Sequence, residues 1–388
     1  MRTALLLLSV GWMGGCNSAP AAMGPGVGGG GGSDGGAGGM CASAASFHGD
    51  TISAPDNAWT WIPVAGNKCR DGSDTGIGVR TNPASDKLIV YLEGGGACFQ
   101  GTSCFSNPTY FDASSFESIK TRVTGIFDFT NAANPFKDWN FVYVPYCTGD
   151  VHAGNADGVD VPGGGPLAQH FVGYGNMTRG LQRLVPTFDK VTQVVLSGSS
   201  AGGFGAAFNY QQVAQAFCPR PVTLIDDSGP PMTDQYLAAC LQKRWRDLWQ
   251  LDTVLPADCT DCRDAEGGGL VNYIPYLAAK YPDVQLGLIS SDKDSVIPRF
   301  YGFGENMCAM LDQGGGTMTP DEFNAGLLDL RANFLSKSTN WGSFFISSTQ
   351  HTWLGSNSFY RTTTTDGVAM ADWVTGLITT HTSANVGP

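Results

Sequence analysis

The sequence has 388 residues, of which 53 are glycine and 11 are cysteine, and its net charge at pH 7 is −12. This acidic balance argues against nucleic acid and against an anionic membrane surface as partners, and it disfavours a strongly polyanionic polysaccharide as substrate. Strand and helix patterns alternate without a break through most of the chain. We therefore predict one large α/β domain over residues 41–388.

The N-terminal segment has the pattern of an export signal. Residues 1–16 hold an apolar run, Ala4–Leu8, and small residues that end at Cys16; the run is too short to span a bilayer as a mature helix. Its end resembles a bacterial lipoprotein signal, in which the cysteine is lipidated. Residues 17–40 are Gly-rich and predict a flexible linker. We expect an exported protein attached to a membrane through Cys16, at the cell surface or facing the periplasm; the alternative is a secreted protein.

The other cysteines predict disulfide bonds. Besides Cys16 there are ten, an even number that fits five disulfides in an oxidising compartment. Cys98 and Cys104 are close enough in sequence to close a short loop. Cys259 and Cys262 have the spacing of a zinc or redox site, but no second pair and no nearby histidine completes a metal site, so a disulfide is favoured. We expect no metal and no cofactor.

Six segments predict strands, because β-branched and aromatic runs are bounded by turn residues. They are Lys87–Leu92, Asn140–Val144, Val191–Leu196, Val222–Ile225, Val284–Ile289 and Phe344–Ser348. Helices are predicted between and after them from apolar spacing. They are Phe171–Val185, Ala201–Phe217, Thr233–Gln250, Tyr273–Lys280, Phe300–Asp312, Pro320–Leu335 and Asp366–Thr379. This alternation predicts a mostly parallel sheet with helices on both faces, a site at the carboxyl ends of the strands, and a small cap over residues 230–269.

A run of three glycines follows the first predicted strand. In Glu93–Ala97 the main-chain N–H groups of Gly95 and Gly96 are unhindered by side chains, and with the N–H of Ala201 they are candidates for an oxyanion hole. A phosphate-binding loop or an ordinary turn are the alternatives. The lysine of a Walker loop and the Gly-x-Gly-x-x-Gly pattern of a dinucleotide site are both missing.

The segment Gly198–Gly202 predicts a nucleophile. It joins a buried strand directly to a helix of small residues, and Gly-x-Ser-x-Gly in that context is typical of a sharp turn that exposes the central serine. Ser200 occupies the apex, while Ser199 is displaced from it. A chance match is a serious alternative in so glycine-rich a chain, but the flanking strand and helix favour the functional interpretation.

An acid and a base follow the elbow in the order that such a site requires. Asp292 and Asp294 come after one late strand, and His351 comes after the next. Asp294 is favoured as the acid, whereas Asp292 has the position of a residue that caps a turn. His351 is favoured as the base that takes the proton of Ser200, because it is the histidine that follows a late strand.

Three further residues are candidates for the substrate pocket. Asp150 and His152 follow the strand at 140–144, and Asp227 ends the strand after the elbow. His152 precedes Ser200 and therefore fits the order of a triad badly. For Asp227 a turn into the cap is an equally good interpretation.

Several blocks occur together in the order seen in a known family. They are Leu92–Phe99, Pro145–Gly154, Gly198–Gly203, Asp227–Gly229, Asp294–Ile297 and His351. Over residues 45–380 the chain resembles the pectin acetylesterase and Notum family of the α/β-hydrolase superfamily. The resemblance implies an α/β-hydrolase fold and a secreted, disulfide-bonded serine carboxylesterase with a triad of Ser200, Asp294 and His351. Where Gly96 lies the family often has a bulky aromatic residue, which predicts a more open pocket here, and the surroundings of His351 also diverge.

The sequence thus predicts an exported carboxylic ester hydrolase that works through an acyl-serine intermediate. Its expected partner is an acylated glycan or a small ester, with acetyl as the expected acyl group. A deacylase for longer chains, or a lipase-like esterase, is the first alternative. The second is a surface lipoprotein that binds a glycan on a hydrolase scaffold without turnover.

Overall fold

The computed structural model describes residues 47–388. The predicted signal with Cys16 and the predicted linker at 17–40 lie outside the described residues, and they stay predictions. Within 47–388 no helix is both long and apolar enough to cross a membrane.

The strands within this part of the chain form a large central sheet and one small hairpin. They are β1 Trp59–Lys68, β2 Asp74–Arg80, β3 Lys87–Leu92, β4 Asn140–Val144, β5 Ala156–Val159, β6 Gln169–Phe171, β7 Gln193–Ser199, β8 Val222–Asp227, β9 Leu286–Ser291, β10 Trp341–Ile346 and β11 Asn385–Val386. The central sheet has the order β1-β2-β4-β3-β7-β8-β9-β10-β11, and β5 pairs with β6. Only the pairs β1–β2 and β2–β4 of the central sheet are antiparallel, so the strands that carry the predicted site are parallel and end at one edge.

The helices follow the strands in the alternation that the sequence predicts. They are α1 Gly101–Phe105, α2 Ala113–Lys120, α3 Gly173–Thr187, α4 Ala201–Phe217, α5 Ala239–Trp249, α6 Tyr273–Lys280, α7 Ile297–Tyr301, α8 Glu305–Cys308, α9 Pro320–Asn333 and α10 Met370–Thr375. Short 3₁₀ turns and a π turn connect several of them.

Alternate residues of the central strands enter two separate hydrophobic layers. In β3, Leu88 and Val90 belong to the layer that includes residues of α3, α4, α6 and α9. Ile89 and Tyr91 belong to the opposite layer, with residues of α2 and α10. This is the two-residue period of a strand buried on both faces. The predicted architecture, a mostly parallel sheet with helices on both sides, is confirmed.

The strand predictions were most accurate at the centre of the sheet. The bounds of β3 and β4 agree with the predicted ones, and β7, β8, β9 and β10 lie within a few residues of theirs. The sequence missed β1 and β2, because β1 contains Pro63, Gly66 and Asn67 and exposes part of its length. These residues are typical of turns and edge strands.

The helix predicted over Phe300–Asp312 is wrong as a single element. It is divided into α7, a 3₁₀ turn and α8, and Asn306 and Met307 have positive φ values of 50° and 54°. The helix predicted over Phe171–Val185 begins later than expected, because Phe171 belongs to β6 and α3 starts at Gly173. His170 also lies in β6, and its ring contacts Asp157.

The disulfides agree with the cysteine count. The described bonds are Cys69–Cys147, Cys98–Cys104, Cys240–Cys308 and Cys259–Cys262. Cys218 is also disulfide-bonded, and Cys41 lies outside the described residues. The predictions for Cys98 with Cys104 and for Cys259 with Cys262 are confirmed.

Candidate active site

Ser200 occupies the strained turn between β7 and α4. Its backbone has φ 59° and ψ −122°, a conformation that costs energy for a residue with a side chain and that clusters at functional sites. Glycine is required on both sides: a Cβ at Gly198 would lie 2.2 Å from the carbonyl oxygen of Gly202, and a Cβ at Gly202 would lie 2.0 Å from that of Leu92. The N–H of Ser200 donates to the carbonyl of Asp227 at 2.7 Å, which fixes the turn against the next strand.

Asp294 and His351 lie together at the same edge of the sheet. Asp294 Oδ2 is 2.7 Å from His351 Nδ1, and Asp294 Oδ1 accepts the N–H groups of Val296 at 2.7 Å and Ile297 at 3.0 Å. Both carboxyl oxygens are therefore occupied, and the pair is buried on the Asp294 side. Asp292 instead accepts the N–H of Ser348 at 2.9 Å, so it joins the segments that follow β9 and β10 rather than capping its own turn.

Asp227 holds the segment that follows His351. Its Oδ2 accepts the N–H groups of Trp353 and Leu354, both at 2.9 Å, and the hydroxyl of Ser199 at 2.7 Å. The Ser199 hydroxyl in turn accepts from Tyr91 at 2.9 Å, so Ser199 is part of a buried polar network. Burial raises the pKa of Asp227, while these hydrogen bonds and the nearby His351 oppose the rise. Sequence analysis placed Asp227 at the substrate pocket, but its carboxyl does not line the cavity described below.

The glycine loop lies against the elbow. A Cβ at Gly94 would be 2.9 Å from the Cβ of Ser200. The carbonyl of Gly95 accepts Asn107 Nδ2 at 2.7 Å, and the carbonyl of Gly96 accepts the hydroxyl of Tyr146 at 2.8 Å. Within residues 47–388 the N–H groups of Gly95 and Gly96 have no hydrogen-bond acceptor, so they are free to bind a developing negative charge.

The Cys98–Cys104 disulfide closes the far end of this loop. The N–H of Cys98 donates to the carbonyl of Gly149 at 2.7 Å. The guanidinium of the buried Arg70 lies 3.1 Å from Cys98 Sγ and donates to the carbonyls of Cys104 and Asn107. The loop is thus fixed from both ends, which favours donors that need no rearrangement when charge develops.

Asp150 and His152 support the loop from behind and do not line the cavity. His152 Nε2 is 2.8 Å from the carbonyl oxygen of Glu93, which can only accept, so the ring carries its proton on Nε2. Burial lowers the pKa of His152 to about 4. Asp150 accepts the hydroxyl of Thr148 and the N–H of Gly173, and burial raises its pKa. Both residues shape the chain around the site.

An apolar cavity opens beside Ser200. Gly96, Ala201 and Ser200 line it near the elbow, and most of its remaining wall is apolar. The other lining residues are Ala97, Val151, Phe204, Phe208, Pro231, Leu237, Trp245, Leu270, Ile297, Phe300 and Tyr301. The predicted cap segment therefore contributes part of the wall.

Sequence reasoning missed the wall supplied by α7. A Cβ at Gly96 would lie 3.2 Å from Phe300 Cζ, so the ring of Phe300 takes up space beside the glycine that was expected to leave the pocket open. The signal in the sequence is the apolar run Val296–Pro298, which lies shortly before Phe300. Among the described residues no group of three or more His, Cys, Asp or Glu has the geometry of a metal site.

A strained serine after a central parallel strand, with a paired Asp and His after later strands, defines the chain as an α/β-hydrolase. A family model described as pectinacetylesterase matches residues 58–296, and the chain belongs to that family. The match includes Ser200 and Asp294 and ends before His351.

Curated relatives are named palmitoleoyl-protein carboxylesterases. The Notum protein of Schmidtea mediterranea is 34% identical over 158 residues, which are 38% of this chain and 28% of that protein. Notum of Drosophila melanogaster is 31% identical over 238 residues, 56% of this chain and 34% of that protein. The chain therefore aligns with about a third or less of the length of these relatives. A crystal structure of the Wnt deacylase Notum from Drosophila shares the fold, with a TM-score of 0.59 and 22% identity over 85% of this chain and 95% of that one.

Proposed function

We propose that the protein is a serine carboxylesterase in which Ser200, His351 and Asp294 form the catalytic triad. The observation that supports this most strongly is the 2.7 Å contact between Asp294 Oδ2 and His351 Nδ1, two residues that the chain order had paired with Ser200. Asp294 accepts a hydrogen bond from the N–H at Nδ1, which leaves Nε2 as the basic nitrogen. The strained backbone of Ser200 and the free N–H groups of the glycine loop add the nucleophile and the oxyanion donors.

The reaction then follows from these positions. His351 Nε2 takes the proton of the Ser200 hydroxyl as its oxygen attacks the ester carbonyl, and the N–H groups of Gly95, Gly96 and Ala201 stabilise the oxyanion. The protonated His351 gives the proton to the departing alcohol, and the acyl group stays on Ser200. A water molecule, deprotonated by His351, releases the acid and restores the serine.

The sequence predicts acetyl as the acyl group. The apolar cavity instead favours a longer acyl chain. Each methylene moved from water into an apolar site contributes roughly 0.8 kcal/mol. An acetyl group would leave most of the apolar wall around Phe204, Leu237 and Trp245 without a ligand contact. We therefore propose a medium or long acyl chain on the acid side. For the alcohol side we propose a glycan or another acylated molecule outside the cell.

A chain-length series tests both parts of this proposal. The experiment compares kcat/KM for p-nitrophenyl acetate, butyrate and octanoate in the wild type and in Ser200→Ala, with Ser199→Ala as the matched control at the neighbouring hydroxyl. We expect kcat/KM to rise from acetate to octanoate and to vanish in Ser200→Ala. Turnover that survives in Ser200→Ala would exclude the serine mechanism, and a maximum at acetate would exclude the longer chain.

Labelling by a fluorophosphonate separates an enzyme from a binding protein on the same scaffold. An activated Ser200 reacts with the probe, whereas a non-catalytic binder stays unlabelled.

For the predicted membrane attachment, the matching experiment follows incorporation of labelled fatty acid and membrane fractionation in the wild type and in Cys16→Ser. Equal behaviour of the two proteins would exclude lipidation at Cys16.

A further inference from the structure

Strand β8 ends in two adjacent buried carboxyls, and only one of them serves the catalytic edge. Successive side chains of a strand point to opposite faces of the sheet. Asp227 faces the His351 segment, as described above. Asp226 faces the other side, where it is 2% exposed and lines a second cavity.

This second cavity adjoins the first. Four residues line both cavities, namely Phe204, Phe208, Pro231 and Leu270. The wall of the second cavity is completed by Ala207, Gly229, Tyr273, Ile274, Leu277, Leu288 and Trp341 together with Asp226. No lysine, arginine or histidine is among these lining residues, so none of them brings a positive charge to the acid.

The carboxyl of Asp226 is only half used by the protein. Its Oδ1 accepts the N–H of Gly229 at 2.8 Å. A Cβ at Gly203 would lie 2.2 Å from the same oxygen and one at Gly229 would lie 2.6 Å from it, so glycine at both places makes room for the acid. Among the described residues no hydrogen bond reaches Oδ2, and Asp226 lines the second cavity.

The turn at Gly229 does not explain an acid at this position. One acceptor satisfies that N–H, and an asparagine would supply it without an ionisable group. Burial holds the pKa of Asp226 well above its usual value, and the neighbouring Asp227 adds to the rise. A protonated carboxyl both donates and accepts a hydrogen bond.

We propose that the second cavity extends the acyl site and that Asp226 Oδ2 binds a hydroxyl group carried by the acyl chain. The inference rests on the proposed esterase function and names its substrate class as esters of hydroxylated fatty acids. A hydroxyl matches a neutral acid in both donor and acceptor capacity. An amine would create a buried ion pair, which is costly. An unsubstituted chain would leave Oδ2 buried without a partner.

The test moves a hydroxyl along the acyl chain. It measures kcat/KM for p-nitrophenyl esters of one chain length, unsubstituted or with the hydroxyl at successive carbons, and uses p-nitrophenyl butyrate as the reference for the catalytic machinery. Because an unsubstituted chain leaves Oδ2 without a partner, we expect one position to exceed the unsubstituted ester by roughly tenfold to a hundredfold.

Variants assign the preference to the carboxyl. In Asp226→Leu the ratio of hydroxylated to unsubstituted rates should fall to about one or below, because the hydroxyl then enters an apolar wall. Asp226→Asn can still bond Gly229 and a hydroxyl, so it should retain part of the preference. Asp321→Asn removes a carboxyl whose side chain is 91% exposed, and it serves as the control with an unchanged ratio.

The failures of the two proposals are distinguishable. A wild type that hydrolyses the unsubstituted esters but prefers no hydroxyl position overturns the role of Asp226 and leaves the esterase intact. So does a preference that survives in Asp226→Leu. If butyrate itself is not hydrolysed in a Ser200-dependent way, the proposed function fails. Should Asp226→Leu not fold, the wild-type series and Asp226→Asn still decide.

Discussion

The two carboxyls at the end of β8 differ in their partners rather than in their burial. Asp227 and Asp226 are 0% and 2% exposed, and burial raises the pKa of both. Asp227 accepts hydrogen bonds from two main-chain amides and from Ser199, whereas Asp226 accepts one, from Gly229. A buried acid with a full set of donors organises the chain around it. One with a spare oxygen beside a cavity is available to a ligand.

The largest expected effect is the loss of kcat when the acid paired with His351 is changed. Asp294→Asn keeps the shape of the acid but lets the amide donate to His351, which favours the wrong tautomer. We expect kcat to fall by about 10⁴-fold. The thermal midpoint should change little, as measured by calorimetry. A loss of less than tenfold would mean that another group orients His351.

Asp227→Asn tests whether the fully bonded acid acts through the histidine segment. The asparagine side chain keeps one oxygen acceptor and replaces the other with an N–H₂ donor. Asp227 therefore loses one of the two oxygens that can accept from its neighbours. We expect kcat to fall by about 10²-fold, and stability to fall by about 2 kcal/mol. Asp226→Asn is the matched control for denaturant unfolding, since Gly229 keeps an acceptor. Equal free energies of unfolding for the two variants would contradict a larger structural role for Asp227 than for Asp226.

A pH profile at constant temperature separates the positioning role of Asp227 from simple loss of structure. Because Asp227 contributes negative charge near His351, its removal should shift the acid limb of kcat/KM to lower pH. A purely structural role predicts a lower maximum with an unmoved limb.

His152 is a buried base, and its ring is hydrogen-bonded to the carbonyl of Glu93. Its pKa is lowered to about 4, so between roughly pH 6.5 and 4 the unfolded chain binds a proton that the folded chain does not. Stability should therefore fall by about 3 kcal/mol as the pH drops through that window. In His152→Gln this part of the acid limb should be absent from urea unfolding midpoints measured across it. An identical limb in both proteins would contradict the assignment.

A further pH-dependent effect concerns the titration of Asp226. Since its folded pKa is raised, the folded state retains a proton that the unfolded chain releases above about pH 4. Its contribution to stability is then present at low pH and lost as the pH rises toward the folded pKa, with a slope of about 1.4 kcal/mol per pH unit. Asp226→Asn should therefore gain on the wild type as the pH rises, measured by denaturant unfolding at successive pH values.

The sequence predicted what local pattern determines. The bounds of β3, β4 and α4 follow from uninterrupted apolar or small residues, and the elbow follows from glycines that the turn sterically requires. The pairing of Asp294 with His351 follows from chain order, because the ends of parallel strands meet at one edge of the sheet.

Features set by tertiary packing were not predictable. β1 is an edge strand whose Pro63 and Gly66 obscure its period, and the segment after Phe300 is interrupted by Asn306 and Met307 in left-handed conformations. The role of Asp227 depends on which face of β8 receives the His351 segment, and no pattern in the strand itself carries that information. The cavity wall likewise joins residues from distant parts of the chain.

The bond between Cys240 and Cys308 links α5, which supplies Trp245 to the cavity, to α8, which follows the Phe300 side of the wall. The disulfide therefore links the two sides of the cavity wall. Because it closes a loop with a sequence separation of 68, the chain-entropy model gives it a stabilising effect of about 4 kcal/mol. Reduction of this bond should lower the turnover of long-chain esters more than that of short-chain esters. The expected measurement is a lower ratio of octanoate to butyrate turnover in dithiothreitol.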